Sequence, residues 1–168
     1  GYTGRVKNVI VPESWNGVPV TEIAANAFSG KRTLKSVKLP ATVVSVGDSA
    51  FYGCYSLSEI NLSAACTSVG KFAFYGCEKL TTAGDLSGLE EIREHTFAAC
   101  RRLAAVNFSE SLLAVGKYAF ADCTALQSVM LPDTVAEIGE YAFSGCKEIK
   151  EFRIPASLND FRTGALKD

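Results

Sequence analysis

Apolar side chains recur along this chain at a fixed interval of 23 residues, with Phe28, Phe51, Phe74, Phe97, Phe120, Phe143 and Leu166 in one column. A second column holds Leu34, Leu57, Leu80, Leu103, Leu126 and Ile149. A third holds Val37, Ile60, Ala83, Val106, Val129 and Phe152, and two residues on stand Leu39, Leu62, Asp85, Phe108, Leu131 and Ile154. The last two columns alternate with a polar position, which predicts a short strand with both apolar side chains on one face. Pro40, Pro132 and Pro155 follow it and, lacking an N–H, help to stop it. Glycine four residues before the phenylalanine (Gly47, Gly70, Gly116, Gly139) and alanine just before it predict a turn entering a short helix or 3₁₀ turn. One such unit cannot bury its own apolar face, whereas stacked units share a continuous core.

Departures from the pattern are local. Val9, Val11 and Pro12 fit a first strand, but Ile23 arrives five residues later than the spacing elsewhere requires. The extra residues surround Ser14-Trp15-Asn16-Gly17, where Asn-Gly predicts a tight hairpin that could shield the first coil. The chain therefore reads as one repeat domain over 1–168. Residues 1–33 are an opening unit with a five-residue insertion; residues 34–168 are regular 23-residue units, the last incomplete. Around Ala83-Gly84-Asp85-Leu86 a polar residue takes the place of leucine, Arg93 replaces the glycine and Thr96 the alanine. That unit is expected to be irregular, a change of curvature or a weak point. Arg162 and Leu166 show the last unit degenerating as well.

The columns closely resemble those of the BspA-like (treponemal-type) leucine-rich repeat family. The resemblance rests on Leu57-x-x-Ile60-x-Leu62, then Val69-Gly70-x-x-Ala73-Phe74-x-x-Cys77, and their counterparts in neighbouring units. The opening Gly1-Tyr2-Thr3-Gly4 through Val11-Pro12, and Val18-Pro19-Val20-Thr21-Glu22-Ile23, also look like the start of such arrays. It implies an α/β repeat solenoid, a right-handed leucine-rich repeat superhelix of about seven units. The parallel sheet would line the concave face, with short helices or 3₁₀ turns on the convex side. It also implies a secreted or surface-attached bacterial protein, some relatives of which adhere to host proteins such as fibronectin. The family has no catalytic residues to carry over.

Composition agrees with a folded domain: 168 residues, 48% hydrophobic, net charge −1. So small a charge gives no drive toward nucleic acid or an anionic membrane. The longest apolar runs are a few residues, far short of the roughly 20 that cross a bilayer, so no membrane insertion is expected. No cleavable signal is visible at Gly1-Tyr2-Thr3-Gly4, and the chain stops mid-unit at Leu166-Lys167-Asp168, as a fragment of a longer protein would.

Candidate chemistry is sparse. Cys54, Cys77, Cys100, Cys123 and Cys146 share a column, and Cys66 falls in a core slot. Cysteine behaves as a small hydrophobe, so these read as a ladder of buried free thiols, a feature that counts mildly against export. No Cys-x-x-Cys pair exists and the one histidine, His95, is out of step with the cysteines; no metal site, cofactor or catalytic constellation is expected. His95 belongs to the column Asn26, Ser49, Phe72, His95, Tyr118, Tyr141, which either covers the core or offers a partner an aromatic strip. The preceding column, Asp48, Lys71, Glu94, Lys117, Glu140, alternates in sign and reads as a solvated ion-pair ladder. The concave face is the default binding surface of a solenoid. Between the inward strand positions lie Lys38, Asn61, Gly84, Asn107, Met130 and Arg153, beside a row that includes Glu59 and Glu151. Lys38, Asn61, Asn107, Met130, Arg153, Glu59 and Glu151 are the candidate contacts. The reading is a monomeric, non-enzymatic module at the bacterial surface binding a host or extracellular-matrix protein. Its alternative is a rigid spacer that carries other domains and has no ligand of its own.

Overall fold

The computed structural model describes residues 6–162 and 164–166 and shows a β-solenoid of stacked coils. Its strands are β1 (Asn8–Ile10), β2 (Ser14–Trp15), β3 (Val18–Pro19), β4 (Glu22–Ile23), β5 (Ser36–Lys38), β6 (Ser45–Val46), β7 (Glu59–Leu62) and β8 (Ser68–Val69). There follow β9 (Thr82–Gly84), β10 (Glu91–Ile92), β11 (Ala114–Val115), β12 (Ser128–Met130), β13 (Glu137–Ile138), β14 (Glu151–Arg153) and β15 (Asp160–Phe161). Two parallel ladders climb the stack. One runs β1-β5-β7-β9 and resumes as β12-β14; the other runs β4-β6-β8 and resumes as β10-β11-β13-β15. Partners are mostly offset by one repeat, as in Ser45↔Ser68 and Val46↔Val69.

The third corner of each coil is the segment around the column phenylalanine. It contains no helix, so of the short helix or 3₁₀ turn expected from Gly-x-x-Ala-Phe the helix does not form. The residue two before each phenylalanine (Asn26, Ser49, Phe72, His95, Tyr118 or Tyr141) has φ between 54 and 59°. A left-handed residue there, and another two after the phenylalanine, break the α geometry every few residues. The backbone closes i→i−3 turns instead, such as Tyr75 N–H to the Phe72 carbonyl at 3.1 Å. The freed N–H groups turn toward the next coil. Phe72, Phe74 and Gly76 donate to the carbonyls of Glu94, Thr96 and Ala98 at 3.1, 2.9 and 2.9 Å. This corner is thus a third hydrogen-bonded ladder.

The core is the stacked interior of these coils. Phe51, Phe74, Phe97, Phe120 and Phe143 are fully or almost fully buried, with neighbouring centroids 5.2–5.4 Å apart and rings within 11° of parallel. About six turns are present, not seven units. In the last, partial one Leu166 is exposed rather than core, Phe152 is only half-buried, and Ile154, expected to point inward, is 62% exposed. No coil among the described residues stacks on its far side.

The Asn16-Gly17 hairpin forms as predicted, with Trp15 opposite Val18 and both turn residues at positive φ. It does not shield the first coil with its apolar side chains, since Trp15 is 71% exposed. The unit flagged as irregular is so, for a reason the column count hides. Leu62 pairs with Gly84 rather than Asp85, a one-residue slip at a β-bulge. Gly84 takes φ +87°, Asp85 swings out to solvent and Leu86 fills the core slot. Only two residues then separate Leu86 from the buried Leu89, where three separate Leu62 from Cys66, so the period of 23 is restored.

Candidate functional site

On the outer side of the first ladder the structure gathers the candidate residues into two clusters. Lys38, Glu59 and Asn61 line an open depression on β1, β5 and β7, together with Asn8, Ile10 and Ser36. Met130 and Arg153 sit side by side on β12 and β14, with Glu151 one row away opposite Ser128. Asn107 lies between the clusters, exposed, on a segment that joins no strand.

Two of these side chains are already engaged. Asn61 accepts from the Leu39 N–H and donates to the Leu39 carbonyl. Arg153 Nη2 lies 2.6 Å from Asp133 Oδ2, while Asp133 Oδ1 accepts from the Ala156 N–H at 3.0 Å. Lys38, Glu59, Asn107, Met130 and Glu151 are exposed. Sequence reasoning missed Ile10 and Asn8. Ile10 is 77% exposed beside Lys38, and Ser36 Oγ donates to Asn8 Oδ1 at 3.0 Å. The signal was available, because inward Val9 and Val11 force Ile10 outward.

The aromatic column lies on the third corner. Phe72, His95, Tyr118 and Tyr141 stack at 4.6, 4.7 and 5.1 Å, half-buried, and Tyr75 meets His95 edge-on at 6.0 Å. Stacking holds bulky residues in a backbone conformation they otherwise avoid. It also shields one edge of His95: its Nδ1 is buried with no hydrogen-bond partner, and Nε2 is 4.0 Å from Glu94 Oε1. Burial holds its pKa below the ordinary value, against the opposing pull of Glu94.

The alternating charge column forms separate pairs rather than an unbroken ladder. Lys71 Nζ meets Glu94 Oε2 at 3.2 Å and Lys117 Nζ meets Glu140 Oε2 at 2.6 Å. Asp48 accepts from the backbone N–H of Lys71 instead of its ammonium. Side-chain hydrogen bonding within the Lys117–Glu140 pair raises the lysine pKa and lowers that of the glutamate.

All six cysteines are free and buried. Each column thiol donates to a phenylalanine carbonyl one coil earlier, as Cys54 does to Phe28 at 3.1 Å and Cys100 to Phe74 at 3.2 Å. Cysteine suits this slot because it fills a small apolar space and offers a weak donor to a carbonyl lone pair. Desolvation pushes Cys54 up to about 11 and Cys146 up to about 12, so neither is a thiolate near neutral pH. Among the described residues no group of His, Cys, Asp and Glu could hold a metal ion. No helix there is long and apolar enough to cross a membrane.

A profile of the BspA type leucine rich repeat region matches six copies over residues 2–124 and 85–168. Among solved structures, a leucine-rich repeat protein from Eubacterium ventriosum is similar at 27% identity over 96% of this chain and 42% of its own, with TM-score 0.79. A leucine rich cell surface protein from Faecalibacterium prausnitzii is similar at 26% identity over 90% of this chain and 48% of its own, TM-score 0.68. The leucine-rich repeat protein of T. pallidum is 29% identical over 92% of this chain and 73% of its own, TM-score 0.58. The chain thus spans less than half the length of the first two proteins. No curated protein matches it.

Proposed function

Because this chain belongs to the BspA-type leucine-rich repeat family, we propose that it is a non-catalytic protein-binding module of a secreted or surface-attached bacterial protein. The observation that carries this reading is the outer side of the first ladder. There two stretches of parallel sheet, backed by a continuous core, present exposed Ile10, Lys38 and Glu59 in one cluster and Met130 and Glu151 in another. Repeat arrays characteristically bind partners through such extended surfaces. Buried thiols and a stacked, poorly accessible imidazole supply no nucleophile or base, which supports a role without chemistry. The similarity to a leucine rich cell surface protein of Faecalibacterium prausnitzii supports the location.

The partner class we favour is a host or extracellular-matrix protein such as fibronectin. The test is binding of this chain to a panel of matrix and serum proteins by interferometry. An Ile10→Ala/Lys38→Glu/Met130→Ala variant is run beside it. Saturable binding that the variant loses is the expected result. A folded chain that binds nothing would favour the spacer role, for which the uninterrupted phenylalanine stack is well suited.

A further inference from the structure

Three of the six junctions between neighbouring coils are closed at three corners, by the two strand ladders and by the hydrogen-bonded turns around the phenylalanine. The Phe97 coil, which carries β9 and β10, is joined at only two on each side. Toward the Phe74 coil it keeps the first ladder (Asp85 N–H to the Leu62 carbonyl, 2.8 Å) and the turns, but β8 and β10 do not pair. Toward the Phe120 coil it keeps the second ladder (Gly116 N–H to the Ile92 carbonyl, 2.7 Å) and the turns (Phe97 N–H to Ala119, 2.8 Å). There the first ladder fails instead. No strand forms over 105–107 to meet β9, and no backbone hydrogen bond of Ala105, Val106 or Asn107 is present. The first ladder stays open toward the Phe143 coil as well, since β12 also finds no strand over 105–107. Across the Phe97 coil itself the missing corner changes sides, as it must if that coil is tilted within the stack.

Side-chain size accounts for the tilt. At Gly47, Gly116 and Gly139 an added Cβ would fall 2.5–2.8 Å from backbone nitrogen of the preceding coil. Arg93 occupies this slot in the Phe97 coil, and it holds β10 off β8. Arg162 occupies it too, yet keeps its bond to the Ile138 carbonyl at 3.1 Å, the longest in that column. A side chain alone is therefore insufficient. What the Phe97 coil adds is Gly84 and Gly88, whose missing Cβ atoms let it press onto the backbone of Leu62, Ala64 and Cys66. Pushed away at Arg93 and drawn in at the two glycines, the coil tips.

We infer that the Phe97 coil is a built-in joint, which rocks about the continuous turn ladder and phenylalanine stack and lets the two halves of the solenoid bend. The joint lies between the Lys38–Glu59 cluster and the Met130–Glu151 cluster, so bending changes their separation. It does not depend on either cluster binding a partner.

Residue-resolved hydrogen exchange on the chain and on Arg93→Gly tests this. In the unaltered protein, amides of 91–93 and 105–107 are expected to exchange about tenfold or more faster than their counterparts at 68–70 and 59–61. Arg93→Gly is expected to slow both rows together, by about threefold or more, because one rigid coil links them. Arg162→Gly, the same change in the last coil, is expected to leave both rows unchanged. Uniform protection along the array in the unaltered protein overturns the joint. So does an Arg93→Gly protein in which only one row, or neither, is slowed.

Discussion

Asn61 grips the Leu39 peptide from both sides, its Oδ1 accepting from the N–H at 2.8 Å and its Nδ2 donating to the carbonyl at 3.1 Å. The side chain therefore bridges neighbouring coils just past the end of β5. Asn61→Ala should cost about 1–2 kcal/mol, since two partly buried backbone groups lose a partner. Chemical denaturation checks the magnitude. Asn61→Asp keeps the acceptor but loses the donor, and should fall between the two proteins.

Phe74 and Phe120 sit fully buried in the middle of the ring stack. Truncating either to alanine should cost about 3–5 kcal/mol. Because each ring stacks on two others, both neighbouring coils should also lose exchange protection. A loss under about 1 kcal/mol would place the rings outside the core.

Much of this architecture can be read from spacing alone. The phenylalanine, cysteine and glycine columns mark core, thiol ladder and close backbone approach, and all three lie where the period puts them. The helix expectation failed because the decisive residues carry no local signal. Phe72, Tyr118 and Tyr141 are poor left-handed formers, and ring stacking between coils holds them there. The slip at Gly84 was hidden because one residue gained in the strand is lost in the link, leaving Phe97 in phase. At the candidate site, position on the outer face was legible from alternation. That Asn61 and Arg153 are tied to Leu39 and Asp133 was not, because those contacts cross between coils.

His95 should make stability fall on mild acidification. Its folded pKa is depressed by burial, so the unfolded chain binds the proton more readily. Stability from the neutral imidazole is complete above the ordinary value of 6.5 and is lost as pH falls through the folded pKa. His95→Tyr, which imitates the neighbouring Tyr118, should flatten the decline in melting temperature between about pH 7 and 5. An imidazole titrating above 6.5 by NMR would contradict the geometry.

The thiols should act at the opposite end of the scale. Unfolded cysteine ionises near the ordinary value of 9.0, while folded Cys54 and Cys146 hold their protons to about 11 and 12. The folded state thus binds more protons above pH 9, and stability falls as pH rises from there toward the folded pKa values. Below that window, native protein should resist alkylation at all six positions. Replacing Cys100 and Cys123 by alanine should move the alkaline unfolding midpoint upward, although each loses a packed sulfur at neutral pH.

Two glycines at positive φ separate backbone strain from lack of space. At Gly30, φ is +71° and an added Cβ would meet nothing within 4 Å. Gly30→Ala should therefore cost only the left-handed penalty, about 1–2 kcal/mol. The equivalent residues Ala99 and Asp122 show that the corner tolerates a side chain in this conformation. At Gly84, φ is +87° and the Cβ would fall 2.5 Å from the Leu62 carbonyl oxygen and 2.6 Å from its nitrogen. Gly84→Ala adds that collision to the same backbone penalty, so its cost should exceed that of Gly30→Ala by about 1–3 kcal/mol. Urea denaturation of the two variants measures the difference. Equal losses would mean that the bulge relaxes around a methyl group and that close approach to Leu62 is not what places Gly84 there.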